Sequence, residues 1–373
     1  MIGQLFSNTA IFQRGFLPER DPVTHFPKDT EWCVLDEIGN ELPRRLEETD
    51  FRTKARDYEI PACPKDWSVI ESVADDPIPY MHLYYVRMGF LASGYINQIK
   101  QERATLLPSN IAVPLCEICR QLQRPPILSY DGYALFNWYR IDPNGPVTLG
   151  NLDTFQNFVR LYDEHWFILV HVEIEALASH IIKEIIQLPE WLKRESRHDI
   201  DQSLNRIADT IQHQVQILKR IPEKMDPALY YKTFRLYIRL FENVHYEGVK
   251  METVDFRGET GAQSSIMPML VALMKIPHEE SLLTRHLKDM WQYMPRKHVI
   301  FLNWVESLPD FRSLASPEAF NRVLEAIAVF RKVHFGWAEE YINKRTDDPR
   351  GTGGTPYMQW LQQLINETLA YRK

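Results

Sequence analysis

Beyond the proline pair of 124-RPP-126, apolar and aromatic residues return at intervals of three and four, segment after segment, almost to the C-terminus. That spacing lays side chains along one face of an α-helix, while two-residue alternation is scarce. The pattern commits the chain to an all-α class, with helices predicted at roughly 127–140, 151–188, 199–220, 226–242, 262–276, 279–292, 298–306, 317–344 and 355–371. Pro125 and Pro126 interrupt the backbone pattern and mark a boundary. Before them a helical pattern runs from Ile78 to Gln123, and residues 1 to about 75 are rich in proline and charge with weak periodicity. At 373 residues and 44.0 kDa the size prior favours two domains. The expected division is a smaller, mixed but mainly helical domain over 1–124 and a large helical-bundle domain over 125–373.

A net charge of −7 and a pI near 6.0 argue against a nucleic-acid surface, which needs clustered Lys and Arg to displace counterions. Four cysteines in so long a chain make no disulfide scaffold and suit a reducing compartment. Cys116 and Cys119 have CxxC spacing, but Cys33 and Cys63 fall at no zinc-ribbon interval. The N-terminal MIGQLFSNTAIFQRGF lacks the charged, apolar and small-residue order of a signal peptide. No uninterrupted apolar run approaches the roughly 18 to 20 residues of a membrane span; even 166-WFILVHVEI-174 carries His171 and Glu173. The expectation is a cytoplasmic monomer with neither nucleic-acid nor membrane partners.

The segment 330-FRKVHFGWAEEY-341 holds the first candidate for chemistry. Phe320, Val323, Ile327, Phe330, His334, Trp337 and Tyr341 form one helical seam, begun by Ser316 as N-cap and Pro317 in the first turn. A lone histidine in such a stripe is most often a hydrogen-bonded core residue. The competing reading is a metal or haem-iron ligand. In 163-DEHWFILVHVEIEALASHI-181, His165, Leu169, Val172, Ala176 and Ser179 share a face, and His171 points elsewhere. In 226-DPALYYKTFRLYIRLF-241, Tyr230, Phe234, Tyr237 and Phe241 make an aromatic seam, with Tyr231 and Arg235 one turn apart. Arg235 either packs its stem and pairs its head, or clamps a ligand carboxylate with its planar fork. The glycine-rich 351-GTGGT-355, after a charged run, is either a solvated connector or a mobile lid with Thr352 offering a hydroxyl. It has no GxxxxGK[ST] pattern, and the chain shows no GxSxG, HExxH or GxGxxG in a suitable context. An enzyme built on these residues would leave its hardest step to a cofactor.

In order and approximate spacing, 127-ILSYDGYALFNW-138, 172-VEIEA-176, 229-LYYKTFRLYI-238, 261-GAQSS-265, 290-MWQYMPRKHVIFL-302, 331-RKVH-334 and 351-GTGGT-355 resemble the indoleamine 2,3-dioxygenase family of haem enzymes, over about two thirds of the chain. The resemblance implies a large helical domain holding haem b, with the N-terminal domain covering its distal side. It also implies opening of the indole C2–C3 bond of L-tryptophan, or a related indoleamine, by O2 at ferrous haem to give N-formylkynurenine. An electron donor would keep the iron reduced. By position, His334 falls on the proximal iron ligand and Arg331 on an arginine near a haem propionate, with Phe330 and Trp337 packing around the haem. Gly261 lies in the segment lining the haem edge. Arg235 falls on the residue that binds the substrate carboxylate, beside Tyr230 and Tyr231. Tyr130, Tyr133 and Ala134 fall on the indole pocket and Thr352 on the lid, and no side chain takes an acid–base role.

Several positions depart from the mammalian pattern. Tyr230 stands in place of phenylalanine, Val271 in place of an acidic residue, and the loop from Tyr341 to Gly351 is shorter. An ungapped match across VEIEA puts His165 and Leu169 at two distal positions, where His165 would meet the indole N–H. Three other readings remain open: a haem dioxygenase for a different indole or pyrrole, a non-catalytic haem sensor, and a helical scaffold without cofactor.

Overall fold

A computed structural model describes residues 13–70, 76–346 and 356–373. Helices α1 (Cys33–Arg45), α2 (Phe51–Arg56), α3 (Ile78–Ile96) and α4 (Ser109–Gln121) make up most of its first third. The proline- and charge-rich opening hides the first two, yet Leu35, Ile38 and Leu42 give α1 a short buried stripe at three and four residues, with Pro43 tolerated near its end. Helix α3 is apolar on nearly every side and enclosed, as such a helix must be. Its one charged side chain, Arg87, bonds Asp36 of α1, the Oε1 of Gln156 at 2.6 Å and the carbonyl of Thr24 at 3.0 Å.

The remaining elements are β1 (Leu106–Leu107), a π-helical turn (Asp131–Leu135), β2 (Tyr139–Arg140), β3 (Leu152–Asp153), α5 (Tyr162–Lys193), α6 (Arg197–Leu218), α7 (Pro227–Lys232), α8 (Phe234–Tyr237), β4 (Phe241–Tyr246), β5 (Val254–Phe256), α9 (Ile266–Met274), α10 (Leu282–Asp289), α11 (Arg296–Ser307), α12 (Pro317–Tyr341) and α13 (Tyr357–Ala370). Strand β4 pairs in parallel with β1 and antiparallel with β5, and β2 pairs with β3. Helix α6 packs between α5 and α12, and α13 lies on α12. The all-α class stands, with these short strands at its margin.

Three predicted helices change form. The expected 127–140 helix is a five-residue π-turn, and 151–188 begins only at Tyr162. The expected 226–242 helix breaks at Thr233, whose φ of −120° and ψ of −107° leave the helical region, and β4 follows. Periodicity of three and four survives such a break because the flanking turns bury the same side.

Two hydrophobic cores share α5. Leu169 and Val172 face the first, with α1 to α4 and the π-turn; Val170, Ile174 and Ile181 face the second, with α6, α9, α11 and α12. Helix α5 is the one described helix long and apolar enough to cross a bilayer, and 67% of its apolar window is buried in the protein. Beyond α6 the backbone runs to α7 through a turn held by three aromatic donors. Trp337 Nε1 donates to the carbonyl of Leu218 at 3.2 Å, Trp166 Nε1 to that of Arg220 at 3.0 Å, and the Tyr341 hydroxyl to that of Met225 at 2.9 Å.

Candidate active site

Where the two cores meet, α5 presents Glu164, Phe167, His171 and Glu175 at helical spacing toward the π-turn and α7. The Tyr133 hydroxyl donates to Glu164 at 3.2 Å, and the Tyr130 hydroxyl to Glu175 at 2.9 Å. Glu164 also accepts the backbone N–H groups of Phe158 and Val159, which pins the preceding loop to the start of α5. Burial pushes the carboxyls of Glu164 and Glu175 each up to about 7, against the hydrogen bonds they accept. Burial, with these carboxyls nearby, raises both tyrosines well above their usual value, so they act as neutral donors. The π-turn itself is fixed by the buried pair Arg124–Asp131; Asp131 also accepts Ser129 Oγ at 2.9 Å and the Gly132 N–H at 2.8 Å. Ala134 is buried within the turn. A single π-turn in an otherwise α-helical chain is a common mark of a functional site.

Opposite, Tyr230 rests its ring against Phe167 (5.6 Å), Phe234 (5.2 Å) and Tyr341 (5.8 Å). Arg235 is 3% exposed, its guanidinium carbon 5.2 Å from the Tyr231 ring centre and hydrogen-bonded to Tyr230. Its Nε has no partner, and it makes no ion pair with a carboxylate among the described residues. A buried cation in that state is costly until an anion joins it.

The segment from Gly258 closes a third side. An added Cβ on Gly258 would lie 2.3 Å from the carbonyl oxygen of Ile238, so only glycine lets this strand end dock on the backbone after α8. Gln263 joins it to the π-turn, accepting the Tyr130 N–H at 2.8 Å and donating to the Gly258 carbonyl at 2.9 Å. Ser264 donates to Glu175 at 2.6 Å. Glu259 is buried, and burial pushes its carboxyl up to about 8. Gly261 lies in open space, with nothing within 4 Å of an added Cβ.

His334, on α12, makes no hydrogen bond among the described residues, and its side chain is exposed. Protein nevertheless surrounds it closely enough that burial, then nearby His171, holds its pKa down to about 4. Two residues on, an added Cβ at Gly336 would meet nothing within 4 Å. Phe330 packs half-buried against the second core, while Trp337 turns to α6 through its bond to Leu218. Arg331 is buried and bonds α13, through the carbonyl of Leu364 at 2.7 Å and the Thr368 hydroxyl. Burial lowers it to about 10.

The structure does not bring His165 and Leu169 to this site. His165 Nδ1 bonds Asp153 at 2.7 Å and Thr154 at 2.9 Å, and its ring stacks on Tyr162, while Leu169 is buried in the first core. The residues on the site face are Phe167 and His171, two positions further on. Two residues rotate a helix surface by roughly 200°, so a register error of that size exchanges one face for the other. His171, which the spacing argument turned elsewhere, packs its ring against Phe167 (4.6 Å) and Tyr130 (6.0 Å). Its signal in the sequence was Glu164, His171 and Glu175 on one side of an otherwise apolar helix. Thr352 lies outside the described residues.

The sequence matches the family described as indoleamine 2,3-dioxygenase over residues 8–349, which extends the likeness well into the N-terminal part. It is 31% identical to indoleamine 2,3-dioxygenase 1 of Mus musculus over 318 residues, 77% of this chain and 78% of that protein. It is 30% identical to the Rattus norvegicus counterpart, across 91% of this chain and 94% of that protein. A 6-hydroxytryptophan 2,3-dioxygenase of Fusarium equiseti is 25% identical across 95% and 94% respectively. With the family matched over nearly its whole length, this chain belongs to the indoleamine 2,3-dioxygenase family.

Proposed function

We propose that the protein is a haem-dependent dioxygenase that opens the indole C2–C3 bond of L-tryptophan, or a close indole, with O2 to give N-formylkynurenine. The observation that carries this reading is Arg235, buried beside Tyr230 and Tyr231 without a carboxylate partner among the described residues, together with His334 on α12, whose ring nitrogens have no partner among them. The residues fit haem b. His334 offers a neutral imidazole with both ring nitrogens unpaired among the described residues, and no atom crowds the Cβ positions of Gly336, two residues on, or of Gly261. In this reading His334 ligates the iron, with Phe330 beside it and Arg331 bracing α12 against α13.

Bound haem would supply the redox chemistry by which both atoms of O2 enter the substrate. The chain's own residues bind and orient. Arg235 takes the substrate carboxylate in a charge-assisted pair while Tyr231 keeps its fork in plane. Tyr133, Phe167 and Tyr230 wall the indole and keep water from it. Glu164 and Glu175 hold the two tyrosine hydroxyls away from the substrate, so the walls present ring faces. We further assign Thr352 to a closing lid, and take the protein as a cytoplasmic monomer served by an electron donor; its cysteines are all free.

Two measurements test the reading. Haem-loaded protein with reductant, O2 and L-tryptophan should accumulate a ring-opened product, and a panel of substituted indoles ranks the substrates. A His334→Ala variant should lose the wild-type visible spectrum and recover it with added imidazole. A haem-replete, reduced protein that opens no indole overturns the assignment.

A further inference from the structure

We propose that Glu259 is a specificity-determining residue: its carboxylate pairs with the α-ammonium group of the substrate while Arg235 holds the α-carboxylate, so the site selects zwitterionic α-amino acids over indoles that carry the acid alone. The inference rests on the dioxygenase reading and adds to it the group that recognises the amine. Three observations carry it.

First, the main chain at Glu259 is fixed. One residue brackets it: the Gln263 side chain donates to the Gly258 carbonyl at 2.9 Å, and the Gln263 main-chain N–H donates to the Thr260 carbonyl at 2.9 Å. The same side chain accepts the Tyr130 N–H at 2.8 Å, which ties Glu259 to the π-turn. On its other flank Gly258 lies on the backbone just beyond Arg235, where an added Cβ would stand 2.3 Å from the Ile238 carbonyl oxygen and 2.6 Å from the Leu240 nitrogen. Second, the carboxyl lies inside the aromatic cage. Glu259 is 4% exposed, and its charge reaches the hydroxyls of Tyr130 and Tyr133 on the π-turn and of Tyr230 on α7. Hydroxyls from two facing elements place it between them. Third, the Tyr230 hydroxyl is hydrogen-bonded to Arg235 and feels Glu259 as well, yet Arg235 makes no ion pair with a carboxylate among the described residues, Glu259 included. A buried acid and a buried cation thus flank one tyrosine without joining each other.

Two opposite charges held apart in one desolvated site suit a ligand that carries both on neighbouring atoms. Without a cation beside it the Glu259 carboxyl stays protonated, because burial pushes it up to about 8. An ammonium group reverses that balance, since an opposite charge favours the ionised form. The acid then releases its proton to solvent and forms a charge-assisted pair. The other titratable groups around it are the three tyrosines, Arg235, Tyr357 of α13 and, behind the π-turn hydroxyls, Glu164 and Glu175 of α5; Glu259→Gln leaves all of them in place. Arg235 and Glu259 then read the two charges on one α-carbon, and the aromatic walls read the ring.

The test compares L-tryptophan with indole-3-propionic acid, which lacks only the amine, on the haem-loaded protein in wild type, Glu259→Gln and Glu259→Asp. Affinity is read from the shift of the main visible band, and proton release from calorimetry in two buffers of different ionisation enthalpy. Wild type should prefer L-tryptophan by about tenfold, which is about 1.4 kcal/mol. It should also release about one proton per L-tryptophan bound at pH 7, and none with the propionic acid. Glu259→Gln should bring the two ligands to within about twofold by weakening L-tryptophan alone, and should abolish the proton release. Glu259→Asp, which keeps the charge, should retain part of the preference. Unchanged binding of indole-3-propionic acid shows that the site is intact. An equal loss for both ligands, or a preference or proton release that survives Glu259→Gln, overturns the proposal. Wild type that opens L-tryptophan while its selectivity ignores residue 259 leaves the dioxygenase reading standing and removes only this one; wild type that binds no tryptophan removes both.

Discussion

Replacing Glu175 by glutamine gives the most quantitative test of the buried face of α5. Burial raises this carboxyl from 4.5 to about 7, opposed by the hydrogen bonds from Ser264 and Tyr130. Because the folded value lies above the unfolded one, the stabilising form is the protonated one. Its contribution is complete below pH 4.5, declines between 4.5 and about 7, and is gone above that. The interval corresponds to on the order of 3 kcal/mol. Glu175→Gln keeps an acceptor for both hydroxyls and removes the titration. Measured against wild type by urea unfolding, the variant should gain stability from pH 5 to 7 and hold a relative gain of on the order of 3 kcal/mol at pH 8. At pH 5 it should be equal or slightly less stable, since its amide N–H groups inherit the buried position of Oε2, which has no partner. Glu164 and Glu259 titrate in both proteins and cancel in the difference. A stability difference that stays flat from pH 5 to 8, or falls, would refute a carboxyl kept neutral by burial.

Three further outcomes follow from particular contacts. Gly15 has a φ of +62°, and an added Cβ would stand 2.1 Å from the Glu175 carbonyl oxygen. Gly15→Ala should therefore lower stability by about 2 kcal/mol or more, read as a fall in melting temperature. Asp131→Ala strands the buried Arg124 and frees the π-turn; urea unfolding should show a loss of about 3–5 kcal/mol. Arg235→Gln should weaken L-tryptophan binding by about thirtyfold, on the order of 2 kcal/mol, and leave an indole without a carboxylate unaffected. Equal weakening of both ligands would count against a carboxylate clamp.

The helical class and most helix positions were legible because burial on one face writes itself into residue spacing. Helix α12 is the clearest case: Ser316 caps it by accepting the Ala319 N–H, and Phe320, Val323 and Ile327 are buried as spaced. The π-turn was not legible, since its geometry depends on the distant partners Tyr85 and Gln263 as well as on nearby Arg124. Nor was the break at Thr233, a residue that helices tolerate. The candidate site divided along the same line. His334, Arg235, Tyr230 and Tyr231 sit in segments whose own spacing drew notice, Tyr130 and Tyr133 came only from the family resemblance, and His165 came from a register, which on a helix fails by whole faces. Arg331 came from the family resemblance and Trp337 from lying one turn from His334; their hydrogen bonds to α13 and α6 are long-range facts that spacing does not encode.

The turn after α6 sets a distance. Trp166 reaches it from α5, the helix of His171, and Trp337 and Tyr341 reach it from α12, the helix of His334. Both walls of the site are thus moored to one stretch of main chain between Leu218 and Met225, through carbonyl oxygens that no substitution of its own side chains removes. The anchor acts as a fixed gauge for the gap in which cofactor and substrate would stack. A change in its length or pitch would widen or narrow that gap without altering any residue that lines it, which opens the choice of ring substituent to control from a part of the fold that never meets the substrate.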